Sequence, residues 1–389
     1  MIDFQKLEVN IDPFSIYAEM RESSPIYFDK QRQNWNVFRY ADVRRVLSDY
    51  ELFSSQFRRN GSYNHEMPFS ASMISSDPPR HRKLRSLVTQ AFTPRAVESL
   101  APRIQEIVDE HLQHPLRDGR MDAIHDLGYP LPVIVIAEML GIPVDDRPRF
   151  KVWSDEVVQM GNQGGNIDPQ QLGKPAVMEM SAYFINMIEQ RRKQPGDDLI
   201  SGLLAAEVDG EKLELIELLG FCALLLVAGN ETTTNLIGNA LLTFAQQPDL
   251  WKHLHRHPEL TPHAIEEVLR FRSPVQSMFR VTKQEVTIAG QKLPAGASLI
   301  AWIGSGNHDE EQFPHPDDFV IDRQPNRHLA FGQGIHYCLG APLARLEARI
   351  ALTSMLKQIG SITLAPGTVL ERLPSNLVYG FRSVPLILS

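Results

Sequence analysis

The sequence predicts a mainly α fold with a small β region, and three observations support it. Apolar residues recur at helical spacing over most of the chain. The strand-like pieces are few and short. One segment, Leu215 to Gln246, reads as a single helix that at 1.5 Å per residue would run on the order of 45 to 50 Å.

Taken in order, helices are expected near 14 to 22, 40 to 48, 80 to 91, 95 to 112, 131 to 140, 146 to 160, 175 to 193, 215 to 246, 249 to 256, 262 to 271 and 340 to 358. Strand-like pieces sit at Ile26 to Tyr27, Trp35 to Phe38, Glu285 to Ile288, Ser298 to Trp302 and Val384 to Leu388. Turn residues such as Leu293-Pro294-Ala295-Gly296 bound several of them. Two segments, Arg58 to Met73 and Gly161 to Lys174, are rich in Asn, Gly or Ser and are expected to be loops, either lids or plain surface connections.

At 389 residues the chain exceeds the usual single-domain size, yet no linker divides it, so one domain over 1–389 is expected. Its 43% hydrophobic and 22% charged residues suit a globular protein with a sizeable core. The net charge of -8 disfavours a nucleic-acid binder. Two cysteines, Cys222 and Cys338, cannot build a disulfide framework, so a reducing cytoplasm is the expected location. Met1 to Lys6 lacks the basic start and apolar run of a signal peptide. The densest apolar stretch, Phe221 to Gly229, is shorter than the roughly 20 residues of a membrane span, so no membrane anchor is expected.

The sharpest local feature is Phe331-Gly332-Gln333-Gly334-Ile335-His336-Tyr337-Cys338-Leu339-Gly340, followed by Ala341-Pro342-Leu343-Ala344-Arg345-Leu346-Glu347, a helix start. Gly332, Gly334 and Gly340 let the backbone take unusual angles and lie flat against a large planar ligand. A cysteine just before a helix faces free N–H groups and the positive helix end, which favours thiolate over thiol. The plain alternative is a buried structural cysteine beside a glycine-rich turn. Zinc would need about four ligands at short spacing, whereas the other cysteine is remote and sits in an apolar helix. One cysteine suits haem iron, where thiolate electron density promotes O–O cleavage.

This decapeptide resembles, at every fixed position of the pattern F-G-x-G-x-H-x-C-x-G, the haem-binding loop of the cytochrome P450 family. The resemblance runs from the region of Ser55 to the C-terminus and implies the family's triangular-prism fold, a haem b cofactor and monooxygenase activity. It makes Cys338 the proximal iron ligand, has His336 donate to a haem propionate and packs Phe331 near the sulfur.

In the long helix, Leu218 to Val227 is apolar on every face, as in a helix buried on all sides. Ala228-Gly229-Asn230-Glu231-Thr232-Thr233-Thr234 then sets an acid and three hydroxyls where unpaired polar groups cost several kcal/mol. Threonine hydroxyls bonded back to the i−4 carbonyl would make this only a bend. The functional reading is an oxygen site: Ala228 and Gly229 leave room over the iron, Thr232 holds dioxygen, and Glu231 with water relays protons. The segment is similar to the family pattern A/G-G-x-D/E-T-T, which peroxide-using relatives tend to lack.

Glu267 and Arg270 share one helix face and resemble the family's E-x-x-R clamp, with Arg323 as its expected third member. His81 and Arg85, in a segment like the family's D-P-P-x-H-x-x-x-R, and Arg280 are implied as propionate partners. Arg80, Arg82 and Lys83 could face an acidic electron donor or simply solubilise a helix. The pattern fails at Asn307-His308-Asp309, where many bacterial members have N-R-D, and at Asn326-Arg327-His328, which replaces N-P-H.

The family's topology implies a substrate pocket lined by the 58 to 75 segment, Leu225, Ala228, Thr232, Val275, Met278 and Val378. A fatty acid, terpenoid or steroid would suit it, and macrolide-like substrates are also open. No flavin or dinucleotide fingerprint occurs, so two electrons would come from a ferredoxin or flavodoxin with its reductase. A monomer is expected. The rival readings are a peroxygenase on the same scaffold and a thiolate-haem ligand sensor without turnover.

Overall fold

The computed structural model describes residues 10–56, 71–150, 152–153 and 175–389. Its helices of five residues or more include α1 Phe14–Ser23, α2 Tyr40–Ser48, α3 Arg80–Ala91, α4 Pro94–Glu98, α5 Ala101–Asp118, α6 Pro130–Met139, α7 Pro175–Lys193, α8 Leu199–Ala205, α9 Leu215–Gln246, α10 Pro248–Arg256, α11 Thr261–Phe271 and α12 Ala341–Gln358. The strands that matter below are β1 Ile26–Asp29, β2 Asn34–Val37, β3 Arg120–Asp122, β4 Ser277–Thr282, β5 Val286–Ile288, β6 Gln291–Leu293, β7 Ser298–Trp302, β8 Ile362–Leu364 and β9 Pro385–Leu388.

The residues group into two compact units that interleave along the chain. The first holds residues up to Leu52, Leu100–Leu131 and Glu231–Ser389; the second holds Phe53–Ser99 and Pro132–Asn230. The division falls inside α9, between Asn230 and Glu231.

In the first unit β1 pairs antiparallel with β2, with Ile26 opposite Val37. β2 runs parallel to β7, with Trp35 opposite Leu299, and β7 runs antiparallel to β4, with Ser277 opposite Trp302. Tyr17, Met20, Phe38 and Trp302 pack as one buried cluster. Their polar tips are satisfied: the Tyr17 hydroxyl donates to Gln276 Oε1 at 2.9 Å and the Trp302 indole to Asn36 Oδ1 at 2.9 Å. A second sheet sets β9 between β3 and β8. β5 and β6 form a hairpin through Ala289 and Gly290, both at positive φ, as a two-residue turn requires.

The helix expected over 95 to 112 is two helices. Thr93 caps α4, accepting from the Ala96 N–H at 3.1 Å, and α5 restarts with Pro102 in its first turn, where a missing N–H costs nothing. α5 then runs on through Pro115 to stop at Gly119, in the left-handed region at φ 65°. In the second unit α8, absent from the sequence reading, is capped by Asp198, which accepts from the Ser201 N–H at 2.8 Å. The expected helix over 146 to 160 and the loop over 161 to 174 lie largely or wholly outside the described residues, as does most of 58 to 73.

α9 spans the expected 215 to 246 and, by length and composition, is apolar enough to cross a bilayer. This corrects the reading that counted Phe221 to Gly229 alone. A core helix meets the same criterion, and Leu236, Ile237, Ala240, Leu241 and Phe244 are buried within the first unit.

Candidate active site

The Cys338 loop is set by a web of hydrogen bonds in the first unit. The Cys338 N–H donates to Phe331 O at 2.9 Å and the Tyr337 N–H to Gly334 O at 3.1 Å, closing the loop on itself. Gly332 and Gly334 both stand at φ 72°, where side chains are disfavoured. A Cβ on Gly334 would also sit 2.8 Å from Ser48 Cα, so the loop tip rests directly on the end of α2. Gly340 departs from the expectation: its φ is -79°, and a Cβ there would lie at an ordinary 3.9 Å from Cys338 Sγ. Two glycines bend this loop, not three.

Behind the loop, Arg345 of α12 grips Glu266 of α11 with both arms, Nε to Oε1 at 2.7 Å and Nη2 to Oε2 at 2.8 Å. His328 meets the same carboxylate at 3.1 Å, and Arg345 stacks over the Phe331 ring at 4.5 Å. Burial alone would raise Glu266, but the hydrogen bonds from Arg345 and His328 outweigh it and hold the carboxyl at about 2. The sequence reading missed Glu266, His328 and Arg345; the acid immediately before the clamp acid Glu267 was the available signal.

At the next residue, Glu267 is fully buried and receives Arg270 at 2.8 and 2.9 Å, Arg323 at 3.0 and 3.2 Å and the Asn326 amide at 3.0 Å. Arg270 also donates to the carbonyls of Asn307, Pro316 and Asp318. Around Asn307-His308-Asp309, the first departure from the family pattern has a physical account. Asn307 accepts from the Leu329 N–H at 2.7 Å and donates to Ser273 Oγ at 2.7 Å, tying the segment before the cysteine loop to the chain just beyond α11. His308, in place of arginine, is buried between Phe271 O and Asp317 Oδ1 and stacks on Phe14 at 4.1 Å; burial lowers its pKa.

Of the two cysteines, Cys338 is exposed and Cys222 is buried, its thiol pushed up to about 12 by burial. Only Cys338 can present a thiolate to a metal. No cluster of three His, Cys, Asp or Glu suited to a metal ion occurs among the described residues. An exposed thiol on a stiff, glycine-bent loop fits a metal whose other ligands come from a macrocycle, as in haem.

Arg280 projects from β4, buried at 6% exposure, with Nη1 donating to Phe279 O at 2.7 Å. His336 lies on the single helical turn Gly334–His336 of the loop. Val275 and Val378 face each other across an isolated β-bridge; Val378 is buried, while Val275 and Met278 are partly exposed. Glu231 and Thr232 are partly exposed although Thr233 to Leu236 beyond them are buried.

The second unit holds His81, Arg85, Leu225 and Ala228. His81 is buried on α3 and lowered to about 4, by burial first and then by Arg85. Ala228 is exposed and Leu225 partly so, in contrast to the buried run Phe221–Ala223. Gly229 does not supply open room: a Cβ there would meet Ile136 Cδ1 at 2.9 Å, so its bare backbone serves the packing of α6. Arg80 and Lys83 are engaged with Glu217 and Glu211, which leaves less free charge for a partner than the sequence suggested.

A stiff loop presenting one thiol and a helix with an acid–hydroxyl pair define a thiolate-haem protein. Residues 12–360 match the sequence model of the cytochrome P450 family, and the chain belongs to that family. It is 44% identical to the putative cytochrome P450 YjiB of Bacillus subtilis over 379 residues, covering 95% of this chain and 92% of that one. The crystal structure of CYP109E1 from Bacillus megaterium in complex with testosterone is similar at a TM-score of 0.86 and 43% identity, covering 97% of this chain and 99% of the other. CYP109Q5 from Chondromyces apiculatus superposes with a TM-score of 0.90 at 41% identity, over 100% of this chain and 98% of that one. The protein is a haem b-dependent monooxygenase that uses dioxygen.

Proposed function

We propose that this chain hydroxylates a compact apolar molecule of steroid, terpenoid or fatty-acid type, with electrons from a ferredoxin or flavodoxin and its reductase. The observation that carries the reading is the exposure along α9: Ala228 is open and Glu231 and Thr232 are half-buried between the buried stretches Leu218–Ala223 and Thr233–Ala245. Polar groups in such a place need a polar task. The steroid end of the range is supported by the likeness to CYP109E1, whose structure holds testosterone.

Bound haem supplies the iron at which dioxygen is activated by two electrons and two protons. Cys338 would hold the metal through its thiolate, with the Phe331–Cys338 hydrogen bond and the Arg345–Glu266 pair keeping the sulfur in place. By the family resemblance, Arg280, Arg85, His81 and His336 would donate to the propionates. Thr232 would hold a proton at its hydroxyl beside the reacting oxygen, and Glu231 would pass protons to it from water. Leu225, Ala228, Val275, Met278 and Val378 are apolar and would exclude water from the substrate. The chain is proposed to act as a cytoplasmic monomer.

A three-arm comparison tests this: a steroid and fatty-acid panel incubated with NAD(P)H plus redox proteins, with peroxide alone, and with neither. Hydroxylated product in the first arm only is expected. Equal turnover with peroxide alone would make it a peroxygenase, and binding spectra with no product in any arm would make it a ligand sensor.

A further inference from the structure

The α9 turns beyond Thr232 carry two buried carboxamides, Asn235 and Asn239, each 1% exposed. They lie three and seven residues past Thr232 and four apart, so they share one face of the helix. Asn239 Nδ2 donates to two carbonyls at once, Arg272 O at 3.1 Å and Tyr379 O at 3.1 Å. Those carbonyls belong to the two chain limbs that carry Val275 and Val378. The limbs are joined to each other as well, through the Val275–Val378 bridge and the Gln276 N–H to Leu377 O and Tyr379 N–H to Pro274 O bonds.

Asn235 meets the same segment one turn nearer Thr232. A Cβ on Gly380 would fall 1.9 Å from Asn235 Oδ1 and 2.4 Å from its Cγ, so residue 380 is glycine because the amide occupies that space. Its φ lies outside the left-handed region, and backbone conformation does not require glycine there. Asn235 Nδ2 and Asn239 Oδ1 are buried without a hydrogen-bond partner among the described residues. An apolar residue at either position would avoid that penalty. The amides therefore do not serve burial as such.

We infer that Asn239 is a positioning residue that holds the Val275 and Val378 limbs on the helix that carries Thr232, and that Asn235, packed against Gly380, sets how closely they approach it, so that together they fix the distance from pocket wall to oxygen site. The inference rests on the proposed role of Val275, Val378 and Thr232. An amide is the group that can do this, because one Nδ2 has two hydrogens and can hold two carbonyls from separate limbs. A leucine of similar size could hold neither.

The test uses haem-loaded protein and two iron-ligating probes, imidazole and 4-phenylimidazole, followed by the Soret shift on titration. Imidazole reports access to the iron, and the added phenyl ring reports the wall. Gly380→Ala is expected to weaken 4-phenylimidazole at least fivefold while imidazole changes less than twofold. Asn235→Ala in the Gly380→Ala background removes the obstructing amide and is expected to recover most of that loss. Asn239→Leu should reproduce the selective loss.

If Gly380→Ala leaves both affinities unchanged, weakens both equally, or is not rescued by Asn235→Ala, the positioning role is wrong. Thermal melting of each variant checks folding, and the Gly380→Ala and Asn235→Ala pair decides the matter even if Asn239→Leu does not fold. Failure of the underlying haem reading looks different: the unmodified protein would lack the thiolate ferrous–CO band and show no Soret shift with either probe.

Discussion

At the residue scale, the proposed chemistry divides between a sulfur that would act as a thiolate and a hydroxyl that would hold a proton. Thr232→Ala removes the second without touching the first. It should leave haem binding intact while most consumed dioxygen is released as peroxide, with product formation falling by about 10²-fold or more, the range for removal of one acid–base group. Peroxide and product measured against NAD(P)H consumed check this, and wild-type coupling in the variant would remove Thr232 from the mechanism. Cys338, Glu231 and Thr232 were legible because their chemistry is local: a thiol framed by glycines and an acid–hydroxyl pair in an apolar helix stand out in a single window. Gly340 and Gly229 were misread for the opposite reason. Whether a glycine serves a turn, a ligand or a neighbouring helix depends on what lies opposite, and no window of sequence contains Ile136 beside Gly229.

At the element scale, the buried pivot is Glu267, whose carboxylate receives Arg270, Arg323 and Asn326 and so joins α11 to the chain before the cysteine loop. Removing Arg323 leaves part of a buried charge uncompensated, and Arg323→Leu should cost about 3 to 5 kcal/mol. Chemical denaturation reads this directly, and a loss below about 1 kcal/mol would show that the clamp is dispensable. α12 carries a second buried acid, Glu347, raised by burial to about 8. A carboxyl protonated in the fold but ionised when unfolded stabilises fully below its unfolded pKa, and that stabilisation is lost as pH rises from about 4.5 to about 8. Glu347→Gln should flatten the decline, gaining about 2 to 4 kcal/mol at pH 8 and little at pH 5. Parallel decline in both proteins would contradict this.

The helices with an apolar stripe, such as α2, α3 and α7, and the long apolar α9 were legible to within a residue. β4 was not, since Ser-Met-Phe-Arg-Val-Thr turns Arg280 inward and shows no apolar alternation. The 95 to 112 reading ended before Pro115, which the helix absorbs in its interior.

At the scale of the whole molecule, stability should be greatest at mildly acidic to neutral pH. His81, lowered to about 4 by burial, resists protonation in the fold, so its contribution falls away as pH drops from about 6.5 towards 4, while that of Glu347 falls away as pH rises. Melting of the haem-free protein across pH 4 to 9 should therefore give a maximum between these limbs, and a monotonic profile would contradict it. The same scale holds the central claim, because only the assembled protein binds haem. The measurement that tests it most directly is the ferrous–CO difference spectrum of the wild type, Cys338→Ser and Cys222→Ala. The wild type and Cys222→Ala should show the red-shifted Soret band of thiolate ligation, and Cys338→Ser should lose it while retaining haem and its melting transition. Persistence of that band in Cys338→Ser, or its loss in Cys222→Ala, would contradict the assignment of Cys338 as the iron ligand.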